Sequence, residues 1–181
     1  MNRPDGTPAE ATSARRVRRR DASDVDACVE VLAEVHAADG YPAYWPDRPG
    51  EWLTQPSPYA AWVAELNGPV VGHIALCRGG AGDAAPAVWS RHRGVSIADT
   101  AVISRLFVSP SARGHGIGAL LMARAVREAR RRALHPVLDV LASDTSATAL
   151  YERLGWSLLA TLDQQWGPDR TVTVHCYAAP V

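Results

Sequence analysis

The chain has 181 residues, 47% of them apolar, and its nineteen arginines balance nineteen acidic residues to a formal charge of zero, with no lysine. That length fits one α/β domain with a sizeable core, and the balance gives no bulk attraction to nucleic acid or to a membrane surface. No stretch approaches the ~18 consecutive apolar residues of a membrane-spanning helix, and Cys28, Cys77 and Cys176 form no Cys-x-x-Cys pair, which argues against a disulfide framework or a zinc site.

Residues 1–13 carry almost no apolar side chains and are expected to be a mobile tail, so that 14–181 form a single domain. The tail has no apolar central region like that of a signal peptide. With the unpaired cysteines, this makes the cytoplasm the expected compartment. The cluster Arg15-Arg16-Val17-Arg18-Arg19-Arg20 reads as a solvated first strand, with nucleic-acid contact the weaker alternative for want of interleaved aromatics. Asp21 to Ala38 is predicted helical, because Val25, Cys28, Val29, Leu32 and Val35 share one face, with Ser23 as a candidate N-cap.

Gly40 to Pro58 mixes Tyr41, Tyr44, Trp45 and Trp52 with five prolines. Such a stretch can form a shaped wall or pack as a satellite over the core. Tyr59–Glu65 and Val70–Cys77 alternate as two strands around an Asn67-Gly68 turn. Gly79 to Arg93 reads as a loop carrying a basic Arg91-His92-Arg93. Asp99–Val108 is a fourth strand, stopped by Ser109-Pro110. A glycine-rich turn, Arg113-Gly114-His115-Gly116-Ile117-Gly118, then opens a helix over Gly116–Ala133, with Ile117, Leu121, Ala125 and Ala129 on one face. Val137–Leu141 is a fifth strand. A helix capped by Ser143 or Asp144 ends at Gly155, and Trp156–Leu162 and Thr171–Tyr177 read as the last strands.

The strand-to-helix junction points to a phosphate ligand. The first amides of a helix lack intrahelical partners and sit at the positive end of its dipole, glycines let a phosphate approach, and Arg113 adds charge. A nucleotide-hydrolase phosphate loop would need Lys-Ser/Thr after its last glycine, where Ala119-Leu120 stand. A dinucleotide fingerprint would need Gly-x-Gly-x-x-Gly rather than the Gly-x-Gly-x-Gly found here.

Arg113-x-x-Gly116-x-Gly118, after a strand ending Leu106-Phe107-Val108-Ser109-Pro110, resembles the coenzyme A signature of the GNAT superfamily of N-acetyltransferases. Downstream, Leu138-Asp139-Val140 followed by Ala149-Leu150-Tyr151-Glu152-Arg153-Leu154-Gly155-Trp156 resembles that family's fifth strand and following helix. The resemblance is clear over about residues 100 to 160. It implies an α/β, GNAT-type acyl-CoA N-acyltransferase fold: a mixed, mostly antiparallel sheet flanked by helices, with a V-shaped cleft between strands four and five. It also implies acetyl-CoA held at Leu106, Phe107, Val108, Arg113, Gly114, His115, Gly116, Ile117, Gly118 and Asp144. The acceptor would be an amine of a small molecule or peptide, with Tyr41 to Tyr59 near it. Neither a nucleic acid nor a membrane partner is expected. A homodimer is compatible with the fold, whose end strands commonly pair or exchange.

Acyl transfer from a thioester to an amine requires a neutral amine, a stabilised oxyanion and a proton for the departing thiolate. Tyr151 matches the family's general acid, and a phenol with a pKa of about 10 is a donor at neutral pH; alternatively it only packs the helix onto the sheet. The resemblance implies an oxyanion donor in the backbone near Phe107 or Val108. For a base, the family's strand-four glutamate aligns with Val102, which leaves Asp99 and His73 as candidates beside relay to solvent. Asp144 stands where the family often has asparagine, so it can cap a helix but cannot donate an amide hydrogen bond. Cysteine catalysis is disfavoured, since no cysteine falls in the cleft-forming motifs. The expected activity is direct acetyl transfer from acetyl-CoA to a primary amine, with a non-catalytic acyl-CoA-binding module as the alternative.

Overall fold

Seven strands form one sheet: β1 (Arg15–Arg19), β2 (Ala60–Leu66), β3 (Val70–Cys77), β4 (Thr100–Val108), β5 (His135–Leu141), β6 (Ser157–Gln165) and β7 (Thr171–Ala178), in the order β1-β2-β3-β4-β5-β7-β6. The computed structural model describes residues 14–55, 58–80 and 82–181, so the tail expected over 1–13 lies outside the described residues. The helices are α1 (Val25–Asp39), α2 (Pro49–Thr54), α3 (Ala85–Arg93), α4 (Ile117–Arg131) and α5 (Thr145–Arg153). Among the described residues no helix is long and apolar enough to cross a membrane.

Alternation along the strands decides which helix covers which face. Trp62, Ile74, Leu76, Ile103 and Leu138 pack with Ile117, Leu121, Met122 and Ala125 of α4. Val63 and Phe107 face the other way, onto Cys28, Leu32 and Val35 of α1. Val102, Val137 and Cys176 share that second face with Val88 and Trp89 of α3. The apolar stripe read on α4 is therefore its buried face, and Cys28 is a fully buried small hydrophobe.

Most of the arginine cluster is an edge strand, in which Arg18 and Arg19 are ion-paired. Arg18 bonds both oxygens of Asp24 at 2.7 Å and reaches Glu65 at 2.7 Å. Arg19 reaches Glu128, 5% exposed on α4, at 3.3 Å. A charged edge strand resists pairing with other chains, which is the structural account of these residues.

Two expectations need correction. The helix expected from Asp21 begins at Val25, after a single 3-10 turn capped by Asp21 rather than Ser23, whose amide donates to Asp21 Oδ1 at 3.0 Å. The segment read as a loop over Gly79 to Arg93 contains α3, with Pro86 in its first turn. Its leading amides, Ala84 and Ala85, donate to the Asp139 carboxylate on β5 at 2.6 and 3.0 Å. A cap supplied from over fifty residues away leaves no local signal.

One pairing sets up the cleft. β4 and β5 are parallel and paired only through Thr100–His135, Ala101–Pro136 and Val102–Val137, although both strands run on. Beyond Val102 they separate, and every other pairing in the sheet is antiparallel.

Candidate active site

β4 is bent as well as splayed. Its register against β3 shifts between His73 and Ala75, so that Arg105 and Leu106 together oppose Ile74. Arg105 takes a φ of +52°, an uncommon conformation for a residue other than glycine. His73 lies under this bulge with no solvent exposure. An arginine only donates, so Arg20 Nη1 donates to His73 Nε2 at 2.9 Å, and Nδ1 must carry the proton donated to the Arg105 carbonyl at 2.9 Å. Phe107 stacks on the imidazole, with ring centroids 5.2 Å apart. Burial lowers the His73 pKa to about 3, so the ring stays neutral at working pH. His73 holds the bulge and does not line the cleft.

The cleft is a cavity of about 630 Å³ between β4 and β5. Tyr151 of α5 lines it, 7% exposed, its ring against Trp156 and Tyr177 at 6.0 and 5.9 Å. Its hydroxyl has no protein hydrogen-bond partner among the described residues. Burial first, then Tyr41 and Asp144, raise its pKa above the usual phenol value, so it remains protonated at neutral pH. Asp144 also lines the cavity and caps α5, accepting from Ala147 N at 3.0 Å. Leu106 lines the cleft and, like Val108, packs against the main core, whereas Phe107 packs with α1.

The glycine-rich turn has the expected form. Gly114 and Gly116 adopt φ of +81° and +71°, and Gly116 precedes α4 without a side-chain cap. The first helical bond runs from Leu120 N to Gly116 O at 3.1 Å. Among the described residues, the amides of 115–119 donate to no protein acceptor. A Cβ on Gly118 would stand 3.2 Å from Leu150 Cδ2, so this glycine serves the close approach of α4 and α5.

The charge at the turn comes from another residue than expected. Arg113 pairs with Asp39 at the end of α1. Arg15 of β1 instead reaches the turn, donating to the His115 carbonyl at 2.7 Å, and its Nη1 would lie 3.4 Å from a Cβ on Gly116. Nothing in the local sequence marks Arg15, which arrives through the pairing of β1 at the sheet edge. Free amides, left-handed glycines and a nearby guanidinium fit a diphosphate.

Asp99 is not brought to this site. It is exposed, accepts from Ser96 N at 3.1 Å, and borders a separate hollow beside Trp89 and His135. Arg91-His92-Arg93, expected in a loop, forms the last turn of α3, with His92 and Arg93 on that same hollow. No cysteine falls in the cleft-forming motifs, but Cys77 at the end of β3 lines the cleft, its Sγ 3.3 Å from Ser104 Oγ. Among the described residues no group of His, Cys, Asp and Glu is placed to hold a metal.

A turn fit for a diphosphate beside a splayed parallel strand pair, with a protonated phenol lining the cleft, is the arrangement of an acyltransferase that uses a coenzyme A thioester. Residues 26–156 match the model of the Acetyltransferase (GNAT) family, and the chain belongs to that family. It is an acyltransferase, and its acetyl donor is acetyl-CoA. No curated protein matches the chain significantly. Among solved structures, an N-acetyltransferase from Staphylococcus aureus is 22% identical, with 92% of this chain and 98% of that one covered at a TM-score of 0.68. A ribosomal-protein-alanine N-acetyltransferase from Brucella melitensis is 22% identical, with 92% and 99% covered at 0.67. A putative acetyltransferase from Salmonella typhimurium, solved with acetyl-CoA, is 23% identical, with 91% and 92% covered at 0.60. At these identities the likeness is one of fold.

Proposed function

We propose that the enzyme transfers the acetyl group directly to a primary amine, with Tyr151 as the acid. The observation that carries this is the Tyr151 hydroxyl: protonated, without a protein partner among the described residues, and on a residue that lines the cleft. Bound at the glycine turn, acetyl-CoA supplies an activated acyl group. The chain's part is to grip the diphosphate through the amides of 115–119 and the Arg15 guanidinium, and to leave the β4 backbone beyond Val102 unpaired toward β5. Tyr151 then delivers a proton to the departing sulfur.

Neither Asp99 nor His73 takes the amine's proton in this reading. Asp99 lies outside the cleft, and both nitrogens of His73 are engaged. The amine loses its proton to solvent in the cleft mouth. The test is steady-state acetyl transfer to a panel of primary amines by wild type and Tyr151→Phe. The expected result is turnover lowered by about 100-fold, in the range for loss of general acid–base catalysis, with acetyl-CoA affinity near wild type. Unchanged turnover across the pH range removes the acid role. No turnover of any amine by wild type, with acetyl-CoA still bound, favours the non-catalytic binding module.

A further inference from the structure

The acceptor side of the cleft contains a guanidinium without a counter-ion. Arg105, on the β4 bulge, lines the cavity and lies over the Trp52 ring at 4.9 Å. Its Nη2 donates to the Gln55 carbonyl at 2.7 Å, its Nη1 lies 3.8 Å from Cys77 Sγ, and its buried Nε has no partner. Among the described residues no carboxylate lies within ion-pair distance of it. Behind it, the half-buried Arg20 donates to His73 and to the Leu53 carbonyl, also without an acidic partner among the described residues.

The acids lining the cavity are occupied elsewhere. Asp139 caps α3, Asp144 caps α5, and Asp83 accepts from Gly80 N at 2.7 Å. Partly buried positive charge without compensation is costly, and a ligand's negative charge would relieve that cost. The mouth on this side is also bridged. Arg170, in the turn between β6 and β7, donates to the Tyr44 hydroxyl and lies over that ring at 4.6 Å. A bounded cavity walled by Tyr41, Tyr44, Trp52 and Trp166 suits a small molecule rather than a length of peptide.

From this geometry we infer that the acceptor is a small primary amine that also carries a carboxylate, an amino acid with an apolar side chain, and that Arg105 binds the carboxylate. This rests on the proposed transferase activity and names its substrate class. The covalent step is unchanged: the amine nitrogen gains the acetyl group and the sulfur gains a proton.

The experiment compares L-phenylalanine with phenethylamine, which differ only in the carboxylate, as acceptors for wild type, Arg105→Gln and Arg105→Lys. Loss of a charge-assisted hydrogen bond is worth roughly 10- to 100-fold in affinity. Wild type is therefore expected to favour phenylalanine in kcat/KM by about that factor. The ratio should fall toward unity in Arg105→Gln and recover in part in Arg105→Lys, with circular dichroism melts showing that each variant folds. Equal use of the two acceptors by wild type overturns the inference while leaving the transferase reading intact, as does an unchanged ratio in a folded Arg105→Gln. Failure of wild type to acetylate either compound or any other amine, with acetyl-CoA still bound, overturns both.

Discussion

The glycine turn and the cavity between β4 and β5 are two walls made of different material. The first, where α4 begins, is main chain: free amides of one continuous stretch and glycines that keep side chains away, with the Tyr151 phenol supplied by α5, which packs on Gly118 through Leu150. The second is largely side chains, from Tyr41, Tyr44, Trp52, Cys77, Arg105, Asp139 and Trp166, which are far apart in the chain. A main-chain wall recognises what every acetyl-CoA molecule shares. A side-chain wall can be rewritten residue by residue, so in the proposed reading it is the wall that selects the acceptor. Damage to the first wall should abolish transfer to every acceptor, and damage to the second should change transfer selectively.

Gly116→Asp breaks the first wall and carries the largest expected effect. Its φ of +71° disfavours a side chain, and a carboxylate there would oppose the diphosphate and draw off the Arg15 guanidinium, 3.4 Å from the added Cβ. Loss of a charge-assisted grip of this kind should weaken acetyl-CoA binding by on the order of 100-fold. Titration calorimetry measures it, and an undiminished affinity would refute the main-chain grip.

The same contrast explains what the sequence could reveal. The first wall is contiguous, so the glycine spacing and Leu150-Tyr151-Glu152 displayed it directly, and the apolar stripe of α4 predicted its buried face. The second wall is assembled by register. Cys77, Arg105 and Asp139 meet only because β3, β4 and β5 are neighbours, and no periodicity marks them. The β4 bulge depends on a fully buried histidine thirty-two positions from the carbonyl it holds. Arg15 was read as one member of a solvated cluster, and only the pairing of β1 with β2 carries it to the glycine turn. Asp99 looked acidic and well placed along the strand, but it sits at the closed end of the V rather than the open one.

His73→Phe sharpens the comparison, because it should disturb the second wall through the bulge. The substitution leaves the Arg105 carbonyl without its donor and takes from Arg20 one of its two acceptors, the Leu53 carbonyl remaining, at a cost of about 1–3 kcal/mol of stability. A pH signature accompanies it. The native histidine takes up no proton until about pH 3, whereas the unfolded chain protonates it near 6.5. Between those values the unfolded state binds more protons, so this stabilisation is complete above the upper value and is lost progressively as pH falls toward the lower. His135, also lowered by burial, acts in the same direction but is present in both proteins. The difference in melting temperature between wild type and His73→Phe should therefore narrow on going from neutral to mildly acidic buffer. A constant difference would mean that the buried imidazole is not the neutral wedge described.

Cys77→Ala carries the smallest expected effect and tests the chemistry rather than the architecture. Cys77 is the only cysteine among the described residues that lines the cleft, since Cys28 is packed under α1 and Cys176 under α3. Were the acetyl group to pause on a protein thiol, Cys77 would have to carry it, and its removal would abolish turnover. Direct transfer asks nothing of the sulfur beyond packing against Ser104 and Arg105. Replacing it leaves a small void beside a flexible guanidinium, worth about 1–2 kcal/mol of stability at most. Turnover with an amine acceptor should therefore stay within about fivefold of wild type, a shift of roughly 1 kcal/mol in the barrier. Initial-rate plots at several fixed acceptor concentrations should intersect, as they do when both substrates must be bound before reaction. Parallel lines, or a hundredfold loss in a folded Cys77→Ala, would place an acyl-enzyme on the pathway and move part of the catalytic machinery from the first wall to the second.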